Sequence, residues 1–333
     1  MSFVLIGTII GAGFASGKEI YLFFLAHGKY GIIGLIISIN LIALAILKTF
    51  YLANKYKVNT YGAFTKILTK NNKVVNKILT NLINIFLLLS YIVMCAGFGA
   101  FFKQSFGWPS YYGATIIAIL SCLIFFKDID GIVKLNFYLI PILILSICFL
   151  GIKSSGEVNL NFNYFLGRGW IVDSIIYASY NSIILIPIIL NLKRIKFKKA
   201  ILITLVVTII LATMSYSIFK TLMLNPIEAS SKEIPIISIG SKMGKSYGHI
   251  YSFVILIAIF TTAVSSGYSF LRGVSENERQ YTALAIIISI VSIVASNVGF
   301  TALLSYLYPV LGYLGLLQIF FILITWKNPI LLI

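Results

Sequence analysis

Ten apolar runs, each close to the length that crosses a bilayer, constrain this chain more than any other feature of its sequence. A helical span needs about 20 apolar residues, and only helices or closed barrels satisfy every backbone polar group in lipid. We number the runs as spans 1 to 10: 3–25, 31–53, 76–102, 109–126, 132–152, 169–192, 198–221, 247–271, 280–297 and 300–325. The sequence therefore predicts an all-α polytopic membrane protein with about ten transmembrane helices. The polar gaps are too short to bury a separate core, so residues 1–333 are expected to form a single transmembrane domain.

Charge gives the expected orientation. The chain has 26 Lys and Arg against 9 Asp and Glu, and nearly all of the basic residues lie between the apolar runs. With the N-terminus inside, sixteen of them fall on the inner side and eight on the outer side. This bias predicts a multi-pass protein of the cell membrane with both termini in the cytoplasm. The same distribution explains the net charge of +17 without a nucleic-acid partner.

Span 1 is unlike an ordinary membrane anchor. Glycine weakens a helix and ionisable residues are costly at membrane depth, yet span 1 contains four glycines and a Lys18-Glu19 pair. The glycines are Gly7, Gly11, Gly13 and Gly17. We predict that the helix is broken between Gly11 and Gly17, with the freed backbone groups lining a solute site. The alternative is close helix packing, because the glycines form two pairs spaced four residues apart.

Span 6 echoes span 1. Phe14-Ala15-Ser16 in span 1 matches Tyr177-Ala178-Ser179 in span 6, and polar residues follow in both. Five spans per half place the two halves in opposite orientations, which is typical of inverted-repeat transporters. We therefore predict a 5+5 inverted repeat, with halves at about 3–152 and 169–325 and with helices 1 and 6 both unwound at mid-membrane.

Polar side chains within other spans are candidates for binding. Thr262, Ser265 and Ser266 share one face of span 8, where oxygen ligands suit a hard cation, although such hydroxyls often bond back to their own helix. Tyr177, Ser179, Tyr180, Asn181 and Ser182 of span 6 could line a solute pocket or make interhelical hydrogen bonds.

Glu19 is the most informative acidic residue. It could carry a proton, bind a cationic group of a solute, or pair with Lys18 or another helix. No cluster typical of enzyme catalysis or of a resident metal is present, and the two histidines lie at span edges. We expect neither an enzyme nor a cofactor.

The segment Gly7-Thr-Ile-Ile-Gly-Ala-Gly-Phe-Ala-Ser-Gly-Lys-Glu-Ile20, with Phe23-Phe24 after it, resembles the first helix of the YkvI-like bacterial membrane proteins. That family is similar to the amino acid–polyamine–organocation transporters, which have the LeuT-type fold. The resemblance implies a bacterial cytoplasmic-membrane transporter with a sodium site and a solute site. The implied sodium ligands are the carbonyls of Gly7, Ile10 and Thr262 and the hydroxyls of Ser265 and Ser266. For the solute, the resemblance implies the amides around Gly11, Ala12 and Gly13 and the span 6 segment Tyr177–Ser182. Lys18 and Glu19 depart from the sodium-coupled pattern, so coupling to protons stays open. Together with the candidates from the residues themselves, the expected solute-binding residues are Gly11, Ala12, Gly13, Phe14, Ser16, Glu19, Tyr91, Tyr177, Ser179, Tyr180 and Asn181.

The expected function follows from these features. We expect an ion-coupled symporter of an amino acid or similar small zwitterion, driven by Na⁺ or H⁺, in which spans 1, 2, 6 and 7 move against spans 3, 4, 8 and 9. Its expected partners are the solute and the lipid bilayer. The alternative is a ligand sensor on a transporter scaffold, which would bind the solute without moving it.

Overall fold

The computed structural model describes residues 1–126, 130–156, 169–192 and 195–325, and its regular elements in this range are helices. Fifteen α-helices occur in chain order: α1 Ser2–Ile9, α2 Ala12–Ser16, α3 Lys18–Phe23, α4 Lys29–Tyr56, α5 Tyr61–Leu68, α6 Lys73–Phe106, α7 Ser110–Phe125, α8 Asp130–Lys153, α9 Trp170–Asn191, α10 Phe197–Met223, α11 Pro226–Ser231, α12 Pro235–Met243, α13 Lys245–Val274, α14 Glu278–Ser296 and α15 Phe300–Ile324.

The predicted spans correspond to these helices. Within the described residues, seven helices are long and apolar enough to cross a membrane, and two shorter apolar helices occur at Ser110–Phe125 and Tyr138–Lys153. Span 1 is divided among α1, α2 and α3. The prediction of an all-α protein with many membrane spans is confirmed.

Span 1 breaks at two glycines. At the first break, the Gly11 amide donates to the carbonyl of Ile9 rather than to that of Gly7, which ends the helical pattern of α1. At the second, Gly17 has φ 82° and ψ −7°, a left-handed conformation that glycine adopts without steric cost. The predicted interruption between Gly11 and Gly17 is confirmed, and one short helix, α2, lies between the two breaks.

The predicted break in span 6 is wrong, because α9 is continuous from Trp170 to Asn191. Its polar side chains bond back to carbonyls of the same helix: Ser179 to Ile175, Asn181 to Tyr177 and Ser182 to Ser179. Pro187 removes one amide from the helix without ending it. One turn earlier, the Gln318 side chain of α15 donates to the Ser182 carbonyl at 3.0 Å. Polar residues satisfied locally, with no glycine among them, therefore keep this span helical.

The helices pack in two groups. Spans 1, 2, 6 and 7 contact one another through α1, α4, α9 and α10. The helices α6, α7, α13 and α14, which are spans 3, 4, 8 and 9, form the second group. The two groups meet where α2 contacts α13, and α8 and α15 each contact both groups. We call the first group the bundle and the second group the scaffold.

Candidate functional site

The carboxyl group of Glu19 lies where the broken span 1 meets span 6. It is 2% exposed, and its Oε2 accepts a hydrogen bond of 2.5 Å from the Tyr180 hydroxyl. The Phe14 backbone amide also donates to this carboxyl group. Its Oε1 lies over Gly13, so close that a Cβ atom on Gly13 would overlap it. The break in span 1 therefore holds an acidic group against α9.

Aromatic rings surround the same point. The Tyr177 ring lies 5.2 Å from the Tyr180 ring and 5.4 Å from the Phe23 ring, between centroids. Tyr180 also packs on Tyr308 of α15 at 4.9 Å. Edge and tilted contacts of this kind are the favoured arrangements of aromatic pairs. We call Phe23, Tyr177, Tyr180 and Tyr308 the aromatic cluster.

Lys18 and Glu19 do not pair with each other. The Lys18 ammonium group donates to the carbonyls of Ala229, Ser230 and Lys232 at 3.0, 3.2 and 2.8 Å, at the C-terminal end of α11. Carbonyls at a helix C-terminus lack intrahelical donors and carry partial negative charge, so a lysine satisfies and stabilises them. Lys18 thus links the broken span to α11 instead of neutralising Glu19.

Lys48, which lies well inside predicted span 2, has the same role. Lys48 of α4 donates to the carbonyls of Ile322 and Leu323, in the last turn of α15, at 3.1 and 2.5 Å. Lys18 and Lys48 are therefore both buried against helix C-termini, where their charge is stabilised.

Helices α11 and α12 form a cap over one end of the bundle, which we call the α11–α12 cap. Besides Lys18, it is held by Gln104 of α6, whose amide group exchanges hydrogen bonds with the backbone of Ile234 at 2.9 and 3.1 Å. Glu233, between the two cap helices, accepts a 3.2 Å bond from the Thr301 amide at the start of α15. The cap is thus fastened to the broken span, to α6 and to α15.

A hydrogen bond between side chains joins the end of span 1 to the start of span 6. His27, just after α3, contacts Asp173 of α9, with 2.8 Å between Nε2 and Oδ2. Asp173 is the second acidic residue within a predicted span, and unlike Glu19 it has a basic partner.

The predicted solute residues of span 1 lie together at the break. Ala12, Gly13 and Phe14 are buried, while a Cβ atom on Gly11 would meet no atom within 4 Å. Ser16 has a local role, since its hydroxyl donates to the Gly13 carbonyl at 2.7 Å and accepts from the Lys18 amide.

The predicted solute residues of span 6 divide into two sets. Tyr177 and Tyr180 face span 1 and Glu19. Ser179 lies against α15, where Gly315 allows close approach, because a Cβ atom there would be 2.6 Å from the Ser179 carbonyl oxygen. Asn181 is buried and its amide bonds to the Tyr177 carbonyl.

Tyr91 is placed within the scaffold. Its hydroxyl lies 2.9 Å from the Ser121 hydroxyl and 3.4 Å from that of Ser289, and its ring packs near Gly267. These contacts join α6, α7, α13 and α14. The structure therefore does not bring Tyr91 together with Glu19 and the aromatic cluster.

The predicted sodium ligands occupy α1 and α13. The amide of Gly11 does not bond to the Gly7 carbonyl, and Gly7 packs against Ile140 of α8. Ile10 ends α1. On α13, the Ser266 hydroxyl donates to the carbonyls of Thr262 and Ala263 at 2.7 and 3.2 Å. Ser266 thus bonds within its own helix, which is the alternative to cation binding that the sequence left open. The sodium site stays a prediction.

That site can be tested by a double substitution. We expect Ser265→Ala combined with Ser266→Ala to abolish sodium-stimulated uptake, because the implied site loses both of its hydroxyl ligands. The measurement is uptake into proteoliposomes with and without a sodium gradient. Ser269→Ala, on an exposed position of the same helix, is the matched control. Unchanged sodium stimulation in the double variant would exclude this site.

Sequence reasoning missed two residues of span 10. Tyr308, next to a proline that lies inside α15, completes the aromatic cluster. Gln318 donates to the Ser182 carbonyl and accepts a 2.7 Å bond from Tyr61. In the sequence, Gln318 is recognisable as the one amide side chain within span 10.

No family model matches the chain. The chain is 25% identical over 336 residues to the uncharacterised membrane protein YkvI of Bacillus subtilis (strain 168), an alignment that covers 95% of this chain and 92% of YkvI. It is also 25% identical over 338 residues to the uncharacterised protein YyaD of the same organism, covering 97% of each. The resemblance to YkvI-like membrane proteins is confirmed.

Two solved structures share the fold. The inward-facing conformation of Mhp1 matches with a TM-score of 0.60 and 12% identity, over 96% of this chain and 74% of Mhp1. The substrate-bound outward-open state of a Na⁺-coupled sialic acid symporter matches with a TM-score of 0.57 and 13% identity, over 97% of this chain and 78% of the symporter. The chain therefore has the LeuT-type fold that the sequence predicted.

Proposed function

We propose that this protein is a secondary active transporter, which carries a small solute across the bacterial cytoplasmic membrane by alternating access. The observation that carries the proposal is the double break of span 1, which holds Glu19 against Tyr180 of span 6. A membrane anchor has no need of a buried acid at an interrupted helix, whereas transporters bind their solutes at such interruptions. The division into bundle and scaffold supports relative movement of the two groups.

The solute that we propose is an amino acid or similar small zwitterion, coupled by symport to Na⁺ or H⁺. The freed backbone groups of span 1 suit the polar groups of such a solute, and Tyr177 and Tyr180 supply contact area for its apolar part. We propose that both termini lie in the cytoplasm, in keeping with the distribution of lysine and arginine.

The test uses purified protein in proteoliposomes. A labelled amino-acid mixture is offered with a sodium gradient, with a pH gradient, with both and with neither. We expect uptake driven by one of the gradients, together with counterflow of labelled against unlabelled solute. Saturable binding without uptake or counterflow would contradict transport and favour a sensor on a transporter scaffold.

A further inference from the structure

Glu19 is a buried acid without a basic partner. In the part of the chain that the structure describes, it makes hydrogen bonds but no ion pair. Lys18, its neighbour in sequence, is bound to three carbonyls of the α11–α12 cap. An ionised carboxylate that is buried without a partner is strongly unfavourable, so either a proton or a cation has to neutralise it.

The surroundings of Glu19 favour a cation. The faces of aromatic rings carry partial negative charge and attract ammonium groups, most strongly where water is excluded. Tyr177 and Tyr180 of α9 and Tyr308 of α15 are the titratable groups that face Glu19 from other helices, and all three are rings of the aromatic cluster. On the side of span 1, the Lys18 ammonium group is bound to carbonyls of the α11–α12 cap and does not reach Glu19. Glu233 lies near this ammonium group.

The Tyr177 hydroxyl group provides an independent observation. Tyr177 is 3% exposed, and its hydroxyl has no hydrogen-bond partner within the described residues, although the side chains of Tyr180 and Asn181 lie close by. A buried hydroxyl without a partner has lost its hydrogen bonds to water and gained none in return, which is unfavourable. Its oxygen is free to accept from an N–H donor, and an ammonium group consists only of such donors.

An anion is disfavoured at the same point. The Glu19 carboxyl group already accepts the Phe14 amide and the Tyr180 hydroxyl, which are the donors that a solute carboxylate would seek there. An ionised Glu19 would also repel it. These two donors are thus used internally, while the Tyr177 hydroxyl oxygen remains as an acceptor for a solute.

We propose, on the basis of the transport function proposed above with Na⁺ as the symported ion, that Glu19 with Tyr177, Tyr180 and Tyr308 binds the ammonium group of the solute in exchange for a proton. The empty site holds a proton on the Glu19 carboxyl group. When the ammonium group binds, that proton leaves to water and the carboxylate pairs with the cation, so one proton is released for each ammonium group and no bond to the solute forms. The rings touch one another in this conformation, so the solute enters when span 1 moves away from α9.

The test compares four-carbon compounds of different charge: butylammonium, the zwitterion 2-aminobutyrate, butyrate and butanol. Binding to the purified protein is measured by calorimetry between about pH 6 and about pH 8. We expect butylammonium and 2-aminobutyrate to bind and butyrate and butanol not to bind. Butylammonium affinity should rise by up to about tenfold per pH unit, because one proton competes with one cation, and protons should be released on binding.

Three variants separate binding from folding. Glu19→Gln should lower butylammonium affinity at least about tenfold and remove its pH dependence, since a neutral amide gives no ion pair. Tyr177→Phe should lower the affinity without lowering the unfolding temperature of the empty protein, because the hydroxyl has no partner to lose. Glu278→Gln, the same change at an acid whose side chain is 82% exposed, is the control and should bind like the wild type.

The outcomes decide between the two proposals. Butyrate binding as tightly as butylammonium, no binding by any of the four compounds, or wild-type affinity in both Glu19→Gln and Tyr177→Phe would overturn the ammonium site. Glu19-dependent binding without counterflow would contradict transport and leave the ammonium site standing. Amino-acid uptake that persists unchanged in Glu19→Gln would leave transport standing and remove the site.

Discussion

Gly13→Ala is expected to destabilise the protein by about 1–3 kcal/mol, the cost of forcing an extra carbon into a packed core. The new Cβ atom would overlap Glu19 Oε1 and lie 2.8 Å from its Cδ and 2.9 Å from its Cγ. The Glu19 side chain is buried and held by Tyr180, so it cannot move aside without losing that hydrogen bond. The measurement is thermal unfolding of the purified protein in detergent.

Two controls test whether the contact with Glu19 causes the loss of stability. Gly11→Ala, in the same break, adds a Cβ atom with no neighbour within 4 Å at an ordinary φ of −82°, and should change the unfolding free energy by less than about 0.5 kcal/mol. In a Glu19→Ala background, the added methyl group of Gly13→Ala meets no carboxyl group, so its cost should largely disappear. Equal destabilisation by Gly13→Ala in both backgrounds would contradict the contact with Glu19.

Lys18→Met is expected to loosen the α11–α12 cap. Methionine keeps much of the apolar stem of lysine but leaves the carbonyls of Ala229, Ser230 and Lys232 without their charged donor. A carbonyl that loses its partner in a buried site costs about 1–3 kcal/mol, which corresponds to about fivefold to about 150-fold in a local opening equilibrium. Hydrogen–deuterium exchange of residues 226–243 should therefore become at least about fivefold faster.

The matched control for this prediction is Lys242→Met, on the same cap. Lys242 pairs with Glu228, but its side chain is 61% exposed, and an exposed ion pair contributes about 0–1 kcal/mol. Exchange in residues 226–243 should change by less than about fivefold. If the two substitutions accelerated exchange equally, or if Lys18→Met had no effect, Lys18 would not be the fastening point between the cap and span 1.

The sequence by itself determined the number of spans, their approximate bounds and the interruption of span 1. These features depend on local physics: an apolar run of a given length is stable only as a helix in lipid, and glycine weakens a helix wherever it lies. Gly17 adopts the left-handed conformation that few other residues tolerate. The break at this position could therefore be predicted from the residue being glycine. The all-α fold class could be predicted for the same reason, because it depends on the length of the apolar runs.

Only the tertiary structure decided how the polar groups find their partners. Lys18 and Glu19 are adjacent in sequence, yet one bonds to carbonyls more than 200 residues away and the other to Tyr180 of span 6. The same residue types that suggested a break in span 6 are satisfied within a continuous α9, and Tyr91 joins four scaffold helices instead of the solute site. The physical reason is that a buried hydrogen bond depends on which atoms lie within about 3 Å, a distance that helix packing sets and residue order does not.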